Sequence, residues 1–125
     1  MITAMDRTFL LVGAVLGFLG VALGAFGAHA LRSRLSPEML AVFETGVRYH
    51  VYHAIAIILV GLIAARLDGW LIRAAGWCFA AGVVLFSGSL YALAISGITV
   101  FGAITPIGGL AFLLGWALLV VAAVL

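Results

Sequence analysis

The 52 residues from 74 to 125 contain no Asp, Glu, Lys, Arg or His, and this run limits the chain's folds more than any other feature. As one helix it would extend roughly 78 Å at 1.5 Å per residue, whereas the hydrocarbon core of a bilayer is roughly 30 Å thick. The run therefore predicts two membrane crossings joined by a short turn. The whole chain, 67% hydrophobic and 8% charged, has the composition of an integral membrane protein.

Uncharged runs along the chain predict an all-α fold, a four-helix transmembrane bundle in a single integral membrane domain of residues 1–125. Each run reaches the ~17–25 residues that a helix needs to cross a bilayer. Helices are expected because backbone groups in hydrocarbon must find hydrogen-bond partners within their own segment. The expected spans are Thr8–Leu31, Val47–Ala65, Leu71–Ile95 and Phe101–Val124, and the last two are divided by a turn at residues 96–99.

The polar loop after the first span predicts a short interfacial helix between spans 1 and 2. Ser36 is a good N-cap and Pro37 suits the first helical position. Leu35 and Leu40 occupy the two positions of a hydrophobic staple. Gly46 is interpreted as a bend between this short helix and the second span.

Four crossings place both termini on the same side of the membrane, and the charges hardly decide which side. Three arginines lie on the side of the termini and three on the other: Arg7, Arg66 and Arg73 against Arg32, Arg34 and Arg48. An ion pair at Arg48 would tip the balance towards cytoplasmic termini, which we favour.

The first segment also resembles a secretory signal peptide, since Ala28-His29-Ala30 matches a cleavage site. Its uncharged run of 24 residues, Thr8–Leu31, is longer than a usual signal-peptide core. We therefore expect a retained first helix.

Glycines form a stripe along the first span, at steps of 4, 3, 4 and 3 residues. An average step of 3.5 keeps them on one helix face, where small residues let two backbones approach closely. The fourth span repeats the pattern. The residues expected to pack against another helix are Gly13, Gly17, Gly20, Gly24, Gly27, Gly108, Ala111 and Gly115. The facing helix could belong to the same chain, which we favour, or to another.

Polar side chains gather near the membrane side that holds the first loop. They are His29, Glu44, Arg48, Tyr49, His50, His53, Ser87, Ser89, Tyr91 and Thr105. Because polar groups in lipid are costly, they tend to face the bundle interior and pair with one another. We therefore expect Glu44, Arg48, His53, Ser87, Tyr91 and Thr105 to surround one pocket or network in the outer third of the bundle.

Two local pairings are predicted within this set. Glu44 and Arg48 stand four residues apart in the favourable order for an ion pair. Pro106 has no N–H, so the carbonyl of Gly102 loses its helical partner, and a hydroxyl of Ser87, Ser89 or Thr105 could replace it.

A purely structural role explains the whole polar set equally well, since tyrosines line membrane interfaces and histidines bond to neighbouring carbonyls.

Four segments carry a family resemblance: GAFGAHAL (24–31), ETGVRYHVYHA (44–54), LFSGSLYALA (85–94) and ITPIGGLAFLLGWALL (104–119). Together they resemble the YgdD-like small inner-membrane proteins, a family of unknown function, DUF 423, that includes the eukaryotic transmembrane protein 256. The resemblance implies a four-helix, multi-pass protein of the bacterial inner membrane and no assigned reaction. Relatives often carry a basic C-terminal tail, which implies a cytoplasmic C-terminus for the family.

The preferred function is a non-catalytic membrane protein that binds a partner helix or lipid. Its expected partners are the bilayer, a second membrane protein or a further copy of itself. Nucleic acid is not expected, because no basic patch lies outside the apolar spans. No cofactor or metal is expected, and no catalytic residue is assigned.

Two other functions stay open. A small molecule such as a quinone, haem or metal could be held by His29, His50 and His53. A small transporter would explain the proline and the ionisable cluster. An enzyme is disfavoured because no aspartate within the spans could complete a triad with Ser87 or Ser89.

Overall fold

The computed structural model describes residues 4–67 and 69–125, without the side chains of Met5 and Asp6. Four helices in this part of the chain are long and apolar enough to cross a membrane: Arg7–Leu31, Pro37–Ala64, Trp70–Ser96 and Thr99–Val124. These are the first to fourth spans. They confirm the predicted all-α fold with four membrane-spanning helices.

Two of the spans change helix type along their length. In chain order the helices are α1 (Ala4–Phe26), a first π segment (Gly27–Leu31), α2 (Pro37–Ala64), α3 (Trp70–Gly82), a second π segment (Val83–Ser87), α4 (Gly88–Ser96), a 3-10 helix (Thr99–Ala103) and α5 (Thr105–Val124). A π segment widens one turn of a helix and is often found at functional sites. The second one interrupts the third span where it passes α2 and α5.

The predicted short interfacial helix is wrong, because α2 runs unbroken from Pro37 to Ala64. Its start is as predicted: the Ser36 hydroxyl accepts a hydrogen bond of 3.2 Å from the backbone N–H of Met39. Gly46 lies inside this continuous helix and does not end it. A Cβ added there would lie 2.8 Å from Cε1 of Tyr91, so this glycine admits a neighbouring ring instead. Extending an existing helix also costs less than nucleating a second one.

The turn between the third and fourth spans is where the sequence predicts it. Gly97 follows α4 with a φ of 72°, a left-handed conformation that glycine adopts without steric cost. Its N–H bonds to the carbonyl of Leu93 at 2.8 Å and so closes the helix end.

The second and third spans form the centre of the bundle. The first span packs mainly on α2, and α5 packs mainly on the third span. The largest core side chains are Phe9, Phe43, Phe79, Ile57 and Val60, all of them fully buried. Large apolar side chains also cover the outer surfaces of α1 and α5, as expected where those helices face lipid.

The glycine stripe of the first span lies against α2 of the same chain. At Gly13, Gly20 and Gly27 an added Cβ would come within 3 Å of an α2 side chain. Gly24 is looser, with Val47 at 3.3 Å from such a Cβ, and Gly17 has nothing within 4 Å. The stripe therefore brings two backbones of one molecule together, and its tight positions recur every seven residues.

Aromatic rings fill the space that glycines leave on neighbouring helices. Five rings do so: Phe9 at Gly76, Phe43 at Gly27, Phe79 at Gly115, Tyr91 at Gly46 and Phe112 at Gly82. The third and fourth spans exchange rings, since each places a phenylalanine on a glycine of the other. At Gly108 the α5 backbone meets the backbone of Phe86, while Ala111 is half-buried.

Replacing Gly13 by alanine should destabilise the bundle, whereas the same change at Gly17 should not. A Cβ at Gly13 would lie 2.9 Å from the carbonyl oxygen of Ala54, and that backbone atom cannot move aside. We expect Gly13→Ala to lower the free energy of unfolding by about 1–3 kcal/mol. Gly17→Ala, the matched control, should be neutral or slightly stabilising. Equal stabilities of the two variants in detergent would show that the stripe does not set the packing of α1.

Candidate functional site

His53 lies near the middle of α2, buried between α2, α3 and α5. Its Nδ1 is 2.7 Å from the carbonyl of Tyr49, and its Nε2 is 3.0 Å from the indole nitrogen of Trp116. Since a carbonyl only accepts and an indole N–H only donates, Nδ1 carries the proton and the imidazole is neutral. The ring stacks on Phe112 with centroids 3.6 Å apart and planes 11° from parallel. His53 thereby joins the second span to the fourth.

His50 also hydrogen-bonds to neighbouring spans, and it does so as the opposite tautomer. Its Nε2 donates to the carbonyl of Leu16 at 2.7 Å, and its Nδ1 accepts from the Tyr91 hydroxyl at 2.8 Å. The Leu16 carbonyl belongs to α1 and Tyr91 to α4, so one imidazole connects three spans. Gly20 makes room for it: a Cβ at Gly20 would lie 3.3 Å from Cδ2 of the imidazole.

Two serines hold the second π segment in place. Ser87, fully buried, donates to the carbonyl of Gly46 in α2 at 2.7 Å. Ser89 donates to the carbonyl of Phe86 at 2.9 Å and, having only one proton, accepts from Thr105 at 2.6 Å. These hydroxyls connect the third span to the second and the fourth.

The predicted repair of the Gly102 carbonyl by a hydroxyl is wrong for the described residues. The hydroxyls of Ser87, Ser89 and Thr105 bond elsewhere. Residues 99–103 form a 3-10 helix rather than an α-helix. Gly102 thus lies before α5, which begins at Thr105.

The single pocket predicted from the sequence does not form. Glu44 and Arg48 are both exposed, and no ion pair or hydrogen bond joins them among residues 4–67 and 69–125. His53 follows Glu44 by nine positions, which at roughly 100° per residue places the two side chains on opposite faces of α2. The buried members of the predicted set divide into the contacts of His50, of His53 and of the two serines. His29 is exposed in the first π segment.

An aromatic cleft of about 630 Å³ opens between α2, the second π segment and α5. Its lining residues are Tyr49, His53, Phe86, Pro106, Gly109, Leu110, Phe112, Leu113 and Trp116. The Tyr49 ring lies 5.0 Å from that of Phe86 and 6.4 Å from that of Phe112, measured between centroids. The cleft faces outward, since Tyr49 and Trp116 are 40% and 45% exposed.

Trp116 and Phe112 were not among the site residues predicted from the sequence. One signal was available: an indole N–H deep in an apolar span needs an acceptor. Which acceptor it finds depends on how α5 is rotated and shifted against α2. Phe112 fixes the position of α5 against α3 by fitting at Gly82, and both residues look ordinary in the sequence.

Both buried imidazoles already use their two ring nitrogens. A metal or haem iron at either would have to replace one of the bonds that connect the spans. Within the described part of the chain, no three His, Cys, Asp or Glu side chains gather as metal ligands. The geometry thus assigns these histidines to holding the spans together.

The fold and these contacts define a small, multi-pass α-helical membrane protein whose spans are joined by hydrogen bonds of buried histidines. The profile of the family described as "Protein of unknown function (DUF423)" matches residues 23–109. The chain belongs to this family, as its four sequence segments suggested. No solved structure matches it.

Similar bacterial proteins carry the name UPF0382 membrane protein. YwdK of Bacillus subtilis is 48% identical over 119 residues, which cover 94% of this chain and 97% of YwdK. SH2409 of Staphylococcus haemolyticus is 43% identical, with 92% of this chain and 93% of that protein covered. SAB0533 of Staphylococcus aureus is 40% identical, with coverages of 93% and 94%. These names and the four spans place the chain among bacterial multi-pass membrane proteins.

Removing the Tyr91 hydroxyl should destabilise the protein, because it leaves Nδ1 of buried His50 without a partner. We expect Tyr91→Phe to lower the free energy of unfolding by about 0.5–2 kcal/mol. Tyr52→Phe is the matched control, since Tyr52 is exposed and has no hydrogen-bond partner among the described residues. Thermal unfolding in detergent measures both. If the two variants unfold at the same temperature, the His50–Tyr91 bond adds no stability.

Proposed function

We propose that this protein is a non-catalytic lipid-binding protein of the bacterial membrane, and that the aromatic cleft holds a hydrocarbon chain. The observation that carries the proposal is the cleft itself, about 630 Å³ in volume and walled by Phe86, Leu110, Phe112 and Leu113. That volume falls in the range of small-molecule sites. Its open side faces the membrane, from which a lipid chain can enter.

The ring nitrogens in the cleft, those of Trp116 and His53, favour a chain over a polar head. The Trp116 N–H and both nitrogens of His53 are engaged with protein partners. A quinone carbonyl would therefore have to displace the Trp116–His53 bond to gain the indole donor, or the His53–Tyr49 bond to gain the imidazole donor. A hydrocarbon chain asks for no hydrogen bond, and it gains dispersion contacts with the rings.

Filling the cleft should expel the chain. A Cβ at Gly109 would lie 3.8 Å from Cδ2 of Phe86, an ordinary contact, so a leucine there can extend into the cleft without moving the backbone. With lipids that carry a photoreactive diazirine in the acyl chain, the purified wild type should be labelled in residues 109–116. Gly109→Leu should reduce that labelling severalfold.

Gly88→Leu is the matched control, because Gly88 has nothing within 4 Å of its Cβ position and does not line the cleft. It should label as the wild type does. Label spread evenly over all outward-facing residues, and equal in both variants, would contradict a chain site in the cleft. Labelling by a quinone probe that acyl chains cannot compete away would replace the proposal with a quinone site.

A further inference from the structure

A second groove lies between α1 and α2, on the opposite flank of α2 from the aromatic cleft. It has a volume of about 350 Å³. Its lining residues are Gly24, Gly27, Phe43, Glu44, Val47, Arg48, Val51 and Tyr52. Most of the wall is apolar, yet it carries one acid, one base and one phenol, all three exposed.

The charged side chains of this groove have no protein partner among the described residues. In the described residues, the side chains of Glu44 and Arg48 make no hydrogen bond or ion pair, although they stand one helical turn apart. Ionisable side chains within a membrane span usually face the bundle interior and pair. Here both lie at the surface, where water and lipid headgroups are the available partners.

The position of these groups along α2 gives their depth in the membrane. About 20 residues of helix cross the ~30 Å hydrocarbon core. Counted back from Ala64, where α2 ends next to Arg66, that length reaches Thr45. Glu44 therefore lies at the boundary with the headgroups. Arg48 is about 6 Å deeper and can extend its guanidinium towards the phosphates.

We propose that this groove binds a phospholipid whose headgroup ends in a primary ammonium, of the ethanolamine type. Such a lipid has its ammonium outermost, its phosphate next and its acyl chains innermost. The groove offers the complementary order: Glu44 outermost for the ammonium, Arg48 next for the phosphate, and Val51 deeper for the chain. The carboxylate can accept hydrogen bonds from a primary ammonium, whereas a choline headgroup has none to donate and a glycerol headgroup has no positive charge.

This site does not depend on the proposed function of the aromatic cleft. It uses other residues on the other face of α2, and it recognises a headgroup rather than a chain. Filling the cleft with Gly109→Leu should therefore leave headgroup preference unchanged. That result separates the failure of one proposal from the failure of the other.

Native mass spectrometry of the purified protein, with lipids of identical acyl chains, tests the headgroup preference. The wild type should bind the ethanolamine lipid about tenfold more tightly than the choline or glycerol lipid, the ratio expected from a charge-assisted hydrogen bond. Glu44→Gln should remove this preference, and Arg48→Gln should weaken binding of all three lipids. Glu38→Gln and Arg34→Gln are matched controls outside the groove and should bind as the wild type does.

The exchange of the two charges, Glu44→Arg with Arg48→Glu, distinguishes an ordered site from general electrostatic attraction. It keeps the net charge and reverses the order, so the ethanolamine preference should disappear. Retention of the preference in the exchanged variant would overturn the proposal. So would equal binding of ethanolamine and choline lipids by the wild type, or preferential binding of the glycerol lipid. Because both side chains are exposed, these variants are expected to fold, which their thermal stability checks.

Discussion

The four spans are positioned by aromatic rings that occupy the space left by glycines on neighbouring helices. In lipid no hydrophobic force drives helices together, so close packing must supply the attraction. A ring on a glycine gives a large contact area and also a position, since it fits at one depth and one rotation. Phe79 on Gly115 and Phe112 on Gly82 do this reciprocally between the third and fourth spans.

The polar contacts follow from this packing. His50 reaches the Leu16 carbonyl because Gly20 lets α2 approach α1. Ser89 and Thr105 meet where the backbone of Gly108 touches that of Phe86. Each bond satisfies a polar group that would otherwise be costly in hydrocarbon. The polar network thus depends on the glycines, and it adds directional bonds to contacts that are otherwise non-directional.

Much of the fold could be predicted from patterns that act locally. Absence of charge marked the spans, and the N-cap at Ser36 marked the start of α2. The site could not be predicted in the same way, because it depends on helix rotation. Glu44 and His53 lie on the same helix in a linear reading, yet they face opposite directions on α2. Gly46 was interpreted as a bend because a glycine's local preference is visible in the sequence, whereas the ring of Tyr91 that fills its place is not.

A double-mutant cycle on Gly115 and Phe79 tests most directly whether rings on glycines position the spans. Gly115→Ala places a methyl group 2.5 Å from Cε1 of Phe79 and should cost about 1–3 kcal/mol of unfolding free energy. Phe79→Leu alone should also destabilise, because it leaves a cavity. In the double variant the smaller side chain makes room for the methyl group, so the combined loss should fall short of the sum by about 1 kcal/mol or more. Losses that add to within about 0.5 kcal/mol would contradict the account.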